Sequence, residues 1–354
     1  MHTQSKFRLL VVRLGAMGDI LHALPAVTAL RQAHPSWIID WVVEPRWRAL
    51  FMAEDSLGRV LSCPLVSSLL FAPTKDWRAA PFSHKTHNEI RHLRRTLRAG
   101  EYDAVLDLQG AIRSAAIGRL AGCRRLIGEE NPRERPARLL FTERVQTHAA
   151  HVIEQGLELA CAVAGDELTA AQPLLPVEPA AECWVDELLA PTPAQPSVVI
   201  NPGAGWGAKR WPIERYATVA QGLIARGLRV LVNTGPGELH LADALSEATD
   251  GAATSLHCSL EQLIALTRRA ALFIAGDTGP LHLACALARP VVGIYGPTDP
   301  SRNGPYGTRF KVLRSPDSRR DHSRHAAPEP GLLTIEPEDV LHAADQLVAP
   351  ETNP

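Results

Sequence analysis

Short apolar runs recur along the chain, each followed by a turn and then a longer segment whose apolar positions have helical spacing. In the first half, the runs at 9–13, 37–43 and 104–108 read as strands with helices between them. The helix after the first run carries its apolar positions through Ile20, Leu21, Leu24, Val27 and Leu30. From 170 to 197 the rhythm breaks: Pro173, Pro176, Pro179, Pro191, Pro193 and Pro196 surround one short helix around 182–189. The alternation resumes with strands at 198–201, 228–233, 272–275 and 291–295. Helices are expected after Pro212, from Glu238, at 260–268 and after the 272–275 strand, and a final one at 340–348 begins near Pro337. Uninterrupted apolar strands alternating with helices are the pattern of parallel sheets buried on both faces. We therefore predict an α/β chain of two doubly wound domains, over 1–172 and 198–350, joined by a Pro/Ala-rich connection at 173–197. The final helix is free to pack back on the first domain. A length of 354 residues also exceeds a comfortable single core, and no sequence repeat is visible.

Composition narrows the class. Hydrophobic residues at 45% and charged residues at 21% are ordinary for a soluble globular protein, and a net charge of −1 argues against a general nucleic-acid binder. Cys63, Cys123, Cys161, Cys183, Cys258 and Cys285 are scattered with no CxxC pair, which fits reduced thiols rather than a disulfide frame or a zinc site. No apolar run reaches the roughly 18–20 residues of a membrane span. The opening Met-His-Thr-Gln-Ser-Lys lacks the apolar length of a signal peptide, so a cytoplasmic location is expected.

Candidate chemistry gathers where strands turn into helices. After the 272–275 strand, Asp277-Thr278-Gly279-Pro280-Leu281-His282 puts a hydroxyl and free N–H groups at a helix N-terminus, which favours a phosphate. Asp277 and His282 flank it and can bond sugar hydroxyls; the alternative is that Asp277 or Thr278 simply caps the helix. In the segment from Asn201 to Pro212, glycines permit close backbone approach and Lys209 is a mobile cation. Thr234-Gly235-Pro236-Gly237-Glu238 offers a carboxylate for a ribose hydroxyl pair, or for the helix dipole. Three such turns in one α/β unit describe a pocket for a nucleotide bearing a pyrophosphate. Near the start, Gly15-Ala16-Met17-Gly18-Asp19 is not the dinucleotide fingerprint, since the third glycine is missing. Asp19 lies in the first turn of a helix at a strand's carboxyl end, the edge where open parallel sheets bind ligands.

Taken together, Gly15-Ala16-Met17-Gly18-Asp19-Ile20-Leu21-His22, Asp107-Leu108-Gln109-Gly110, Lys209-Arg210-Trp211-Pro212 and Asp277-Thr278-Gly279-Pro280-Leu281-His282 resemble glycosyltransferase family 9, the lipopolysaccharide heptosyltransferases. Trp41-Val42-Val43-Glu44 and the segment from Tyr295 to Pro300 bring the resemblance nearest to the heptosyltransferase I group, over about residues 8–310. It implies a GT-B architecture, with two Rossmann-like domains facing across a cleft. ADP-L-glycero-D-manno-heptose is the implied donor substrate, and the inner Kdo of Kdo-lipid A the implied acceptor. No cofactor and no metal is implied. Carried over by position, Asp19 matches the catalytic base, Lys209 a donor-phosphate lysine and Glu238 a ribose-binding acid. Asp277, Thr278, Gly279 and His282 match the donor-binding turn. Ala204 and Gly205 stand where two threonines are common, and Cys258 stands where a methionine is expected beside the adenine. Acceptor contacts fall to Gly18 and Gln109.

The chemistry follows. Asp19 takes a proton from the acceptor hydroxyl, while Lys209 and the N–H groups at Thr278 and Gly279 neutralise the departing diphosphate. One base without a nucleophilic carboxylate implies a single displacement with inversion. Two basic groups, one over 75–98 and one from Arg113 to Arg138, can serve the acceptor's carboxylates and phosphates. Lys75, Arg78, Arg94, Arg95 and Arg113 are the expected contacts. They also suit an anionic inner-membrane surface, which makes the protein peripheral on the cytoplasmic face; a solvated helix face is the alternative. Rival readings are a protein heptosyltransferase, a nucleotide-sugar epimerase, a NAD-dependent dehydrogenase using Glu44, and a non-catalytic sugar-nucleotide binder.

Overall fold

The computed structural model describes residues 6–55, 57–61, 64–321 and 325–348; Cys63 lies outside them. The chain divides into two compact units, Met1–Ala53 with Val60–Pro176, and Glu54–Arg59 with Val177–Pro354.

The first unit runs β1 (Arg8–Val12), α1 (Met17–Ala33), β2 (Ile38–Val43), β3 (Ser68–Phe71), α2 (Thr74–Ala79), α3 (His84–Ala99), β4 (Ala104–Asp107), α4 (Ile112–Leu120), β5 (Leu126–Glu129), β6 (Glu143–Val145) and α5 (Val152–Ala164). Its six strands are parallel, in the order β3-β2-β1-β4-β5-β6. Leu10, Val12, Val42 and Val105 point to one face, where Leu93 and Leu97 of α3 and Ala115 and Ile117 of α4 cover them. α5 packs on β4, β5 and β6 and also against α1. At Gly156 of α5 a β-carbon would already touch Ala26 of α1, at 3.8 Å.

The second unit runs α6 (Pro179–Leu189), β7 (Ser197–Asn201), α7 (Ile213–Ala225), β8 (Arg229–Asn233), α8 (Leu239–Glu247), β9 (Thr254–Leu256), α9 (Leu260–Arg269), β10 (Leu272–Gly276), α10 (Gly279–Ala286), β11 (Val291–Tyr295), α11 (Pro300–Asn303), β12 (Phe310–Arg314) and α12 (Pro337–Val348). Its parallel order is β12-β11-β10-β7-β8-β9. The period of two along each strand sorts the core into two layers. Val198, Ile200, Ile274 and Ile294 face α7, α8 and α12, while Val199, Phe273, Val291 and Tyr295 face α6, α9 and α10.

Both sheets therefore follow one topology, with strand order reversing between β1 and β4 and again between β7 and β10. In such sheets ligands bind outside the carboxyl ends of the strands at that switch point. One detail differs from the sequence reading. α6, placed there in a connecting segment, packs on α9 of the second unit, because Ala181 and Val185 complete its core and Glu182 pairs with Arg268 and Arg269. α12 lies on α7, β11 and β12 of its own unit, where Val340, Ala344 and Leu347 are buried.

Candidate functional site

The switch point of the first unit is built by the turns after β1 and β4. Asp19 sits in the first turn of α1, and its Oδ2 accepts from the Ala16 N–H at 3.1 Å. Its Oδ1 lies 3.1 Å from Arg13 Nη2, and Arg13 also donates to the Leu108 carbonyl. One arginine thus ties the turn of Asp19 to the turn after β4. Gln109 does the same from the other side: its buried Oε1 accepts from the Leu14 N–H at 2.8 Å. That oxygen holds the two turns together. Asp107 is fully buried, and its Oδ1 accepts from the N–H groups of Gln109 and Gly110, each at 2.8 Å. Burial pushes its carboxyl up to about 6. Gly18 lies beside Asp19 in the same helical turn, half-buried.

The switch point of the second unit carries the denser set of polar groups. Lys209 pairs with the Asp277 carboxylate, donates to the Asp277 carbonyl at 3.2 Å and lies 4.3 Å from the centroid of the Trp206 ring. His282 Nε2 stands 3.1 Å from Asp277 Oδ1, and the Asn303 amide reaches both carboxylate oxygens at 3.3 and 3.4 Å. Burial alone would raise the Asp277 carboxyl. The His282 hydrogen bond and the Lys209 charge outweigh it and hold the group well below the usual carboxylate range. Thr278, at the N-terminus of α10, makes no side-chain cap; its hydroxyl donates to the Gly276 carbonyl at 3.2 Å. The end of α10 is therefore not capped by its own residue.

Glu238 reaches from the turn after β8 to the turn after β7. Its Oε1 accepts from the Ala204 N–H at 3.3 Å and lies 3.6 Å from Arg210 Nη2. The carboxylate presses so close to Gly203 that a β-carbon there would collide with it. Ala204 is buried and Gly205 exposed, so the turn after β7 offers backbone and Lys209 rather than hydroxyls. Cys258 follows β9 at the same edge, packed on the core around Leu256; burial pushes its thiol up to about 12, so it stays neutral.

The expected acceptor cations separate. Lys75 and Arg78 are exposed on α2, just past the carboxyl end of β3, and Arg113 is exposed in the first turn of α4. Arg94 and Arg95 are exposed too, but α3 runs from that edge back toward the start of β4. Ten residues along a helix is roughly 15 Å, so both lie toward the opposite edge from Asp19. Sequence reasoning treated 75–98 as one basic surface and missed that it spans two helices, the second of which carries Arg94 and Arg95 toward the opposite edge. It also missed Arg13 and Asn303, whose partners lie far away in sequence.

A carboxylate at one switch point, and a cation beside an uncapped helix start at the other, fit an enzyme that transfers a sugar. The class is a GT-B glycosyltransferase. A model of glycosyltransferase family 9 (heptosyltransferase) matches residues 90–330. Lipopolysaccharide heptosyltransferase 1 of Escherichia coli K12 is 32% identical over 315 residues, covering 87% of this chain and 94% of that protein. Lipopolysaccharide heptosyltransferase 3 of Escherichia coli is 28% identical over 95% of this chain and 97% of its own length. Among solved structures, E. coli heptosyltransferase WaaC with ADP-2-deoxy-2-fluoro heptose superimposes with a TM-score of 0.74 at 28% identity, over 96% of this chain and 99% of that one. The chain belongs to glycosyltransferase family 9, the heptosyltransferases.

Proposed function

We propose that this enzyme transfers L-glycero-D-manno-heptose from ADP-heptose to the inner Kdo of Kdo-lipid A, with inversion at the anomeric carbon, in lipopolysaccharide core synthesis. The first unit binds the acceptor and the second the donor. Asp19 accepts the proton of the attacking hydroxyl. As the bond to the anomeric carbon breaks, charge grows on the diphosphate. Lys209 and the N–H groups at the start of α10 meet that charge, and Glu238 takes the ribose hydroxyls. These protein groups make a divalent metal unnecessary. Asp277 and His282 orient the donor sugar, Ala204 and Gly205 approach the phosphates through their backbone, and Cys258 lies beside the base. Lys75, Arg78 and Arg113 meet the acceptor's acidic groups and draw the protein to the anionic cytoplasmic face of the inner membrane. No helix among the described residues is long and apolar enough to cross a membrane.

The observation that carries this reading is the convergence of Lys209, Asp277, His282 and an uncapped helix start at the switch point of the second sheet. The deciding experiment mixes the protein with ADP-heptose and Kdo-lipid A in the presence of chelator and reads the product by mass spectrometry. A gain of one heptose is expected. Product formed only from an acceptor that already carries heptose would move the enzyme to a later step, as the name of the heptosyltransferase 3 relative suggests. A reversible loss on chelation would show that a metal neutralises the leaving group.

A further inference from the structure

The short helical turn Pro45–Leu50 leaves the carboxyl end of β2, the strand beside β1. Within it, the Arg46 guanidinium carbon lies 4.5 Å from the centroid of the Trp47 ring, a cation–π contact. Arg46 is exposed, and no carboxylate among the described residues pairs with it. The pair abuts the turn that carries Asp19. A β-carbon built on Gly15 would lie 2.8 Å from Trp47 Nε1 and 3.9 Å from Arg46 Nη2. Gly15 immediately precedes Ala16, whose N–H donates to Asp19. The neighbouring cation, Arg13, is committed to Asp19 and Leu108. Arg46 is therefore a cation next to the base turn, with no counter-ion of its own and a ring to hold its plane.

We propose that Arg46, steadied by Trp47, binds a carboxylate or phosphate of the acceptor beside the hydroxyl that Asp19 deprotonates. The inference rests on the acceptor reading given above. A planar guanidinium pairs with such an oxyanion through two parallel N–H donors, which fixes orientation as well as adding affinity. Stacking restricts its rotamers beforehand, so less conformational entropy is lost on binding. Gly15 belongs to the same arrangement, since any side chain there would push the indole away from its place.

The test is calorimetric binding of de-O-acylated Kdo-lipid A to the full-length protein, with ADP binding as the control. Arg46→Gln should weaken acceptor binding about tenfold or more and leave ADP binding within twofold. Trp47→Leu should lose a similar amount although Arg46 remains, whereas Trp47→Phe, which keeps a ring, should lose less. Repeating the Arg46→Gln comparison on acceptor stripped of its lipid A phosphates identifies the group: a persisting loss assigns the carboxylate, a vanished loss the phosphate. Unchanged acceptor binding in Arg46→Gln, with the parent protein binding well, would overturn this inference alone. An equal loss of acceptor and ADP binding would overturn it as well, by showing a disturbed fold. A parent protein that binds no Kdo-lipid A would overturn the acceptor reading and this inference with it.

Discussion

Asp19 is fixed from two sides, by the Ala16 N–H and by Arg13, so its carboxylate has a set direction without substrate. Asp19→Asn keeps the shape but removes the proton acceptor. Turnover should fall by about 10²–10⁴-fold while ADP binding, measured by calorimetry, stays within twofold. Turnover close to the parent's would remove Asp19 from the role of base. Lys209 sits among Asp277, Trp206 and the start of α10. Lys209→Ala should weaken ADP binding and also lower kcat, because its charge matters most as the diphosphate leaves. A change seen only in acceptor KM would place the lysine elsewhere. At this scale, Asp19, Lys209 and Asp277 were legible because glycine-rich turns after apolar strands mark them. Arg13 and Asn303 were not, since β1 reaches the turn after β4 across 95 residues and α11 reaches Asp277 across 26.

Among the elements, the interior strands other than β5 were readable and the edge strands were not. β1, β7, β10 and β11 are almost wholly buried, and parallel strands buried on both faces must be apolar along their length. β3, β6 and β12 are outer or edge strands with exposed positions, and β5 places only two apolar residues between Arg125 and Glu129, so none stood out. The turn after β4 carries its own test. Burial raises the Asp107 carboxyl from 3.8 to about 6, so the folded protein binds this proton more tightly than the unfolded chain. The unfolded state then holds fewer protons between these values, and stability falls as pH rises through about 4 to 6. A shift of this size corresponds to roughly 3 kcal/mol. Asp107→Asn keeps an oxygen for the Gln109 and Gly110 N–H groups. It should flatten the loss between pH 4 and 6 and raise the melting temperature at neutral pH. Parallel melting curves at pH 5 and 7.5 that fall equally in both proteins would refute the assignment.

For the molecule as a whole, two sheets share one strand order but carry unlike edges: one holds the Asp19 carboxylate among structural bonds, the other a cation, acids and an uncapped helix start. The alternation of apolar runs made this duplication legible, whereas the boundary was blurred by prolines that include a helix of the second core. If the donor belongs to the second unit alone, ADP should slow amide hydrogen exchange in the turns after β7, β8 and β10 and leave those after β1 and β4 unchanged. Equal protection in both units would contradict the division of labour.

The Lys209–Asp277 pair has one more consequence, for selectivity among anions. Lys209 does not present a bare ammonium; its charge is met by the Asp277 carboxylate. If Lys209 receives the donor phosphates as proposed, an incoming phosphate competes with that carboxylate for the ammonium, and a single weakly held group gains little by doing so. A ligand that also engages Glu238 and the start of α10 gains from several contacts at once. On the donor reading proposed above, inorganic phosphate, abundant in any cell, is thereby a poor competitor for the site, and departure of the diphosphate returns Lys209 to its own counter-ion.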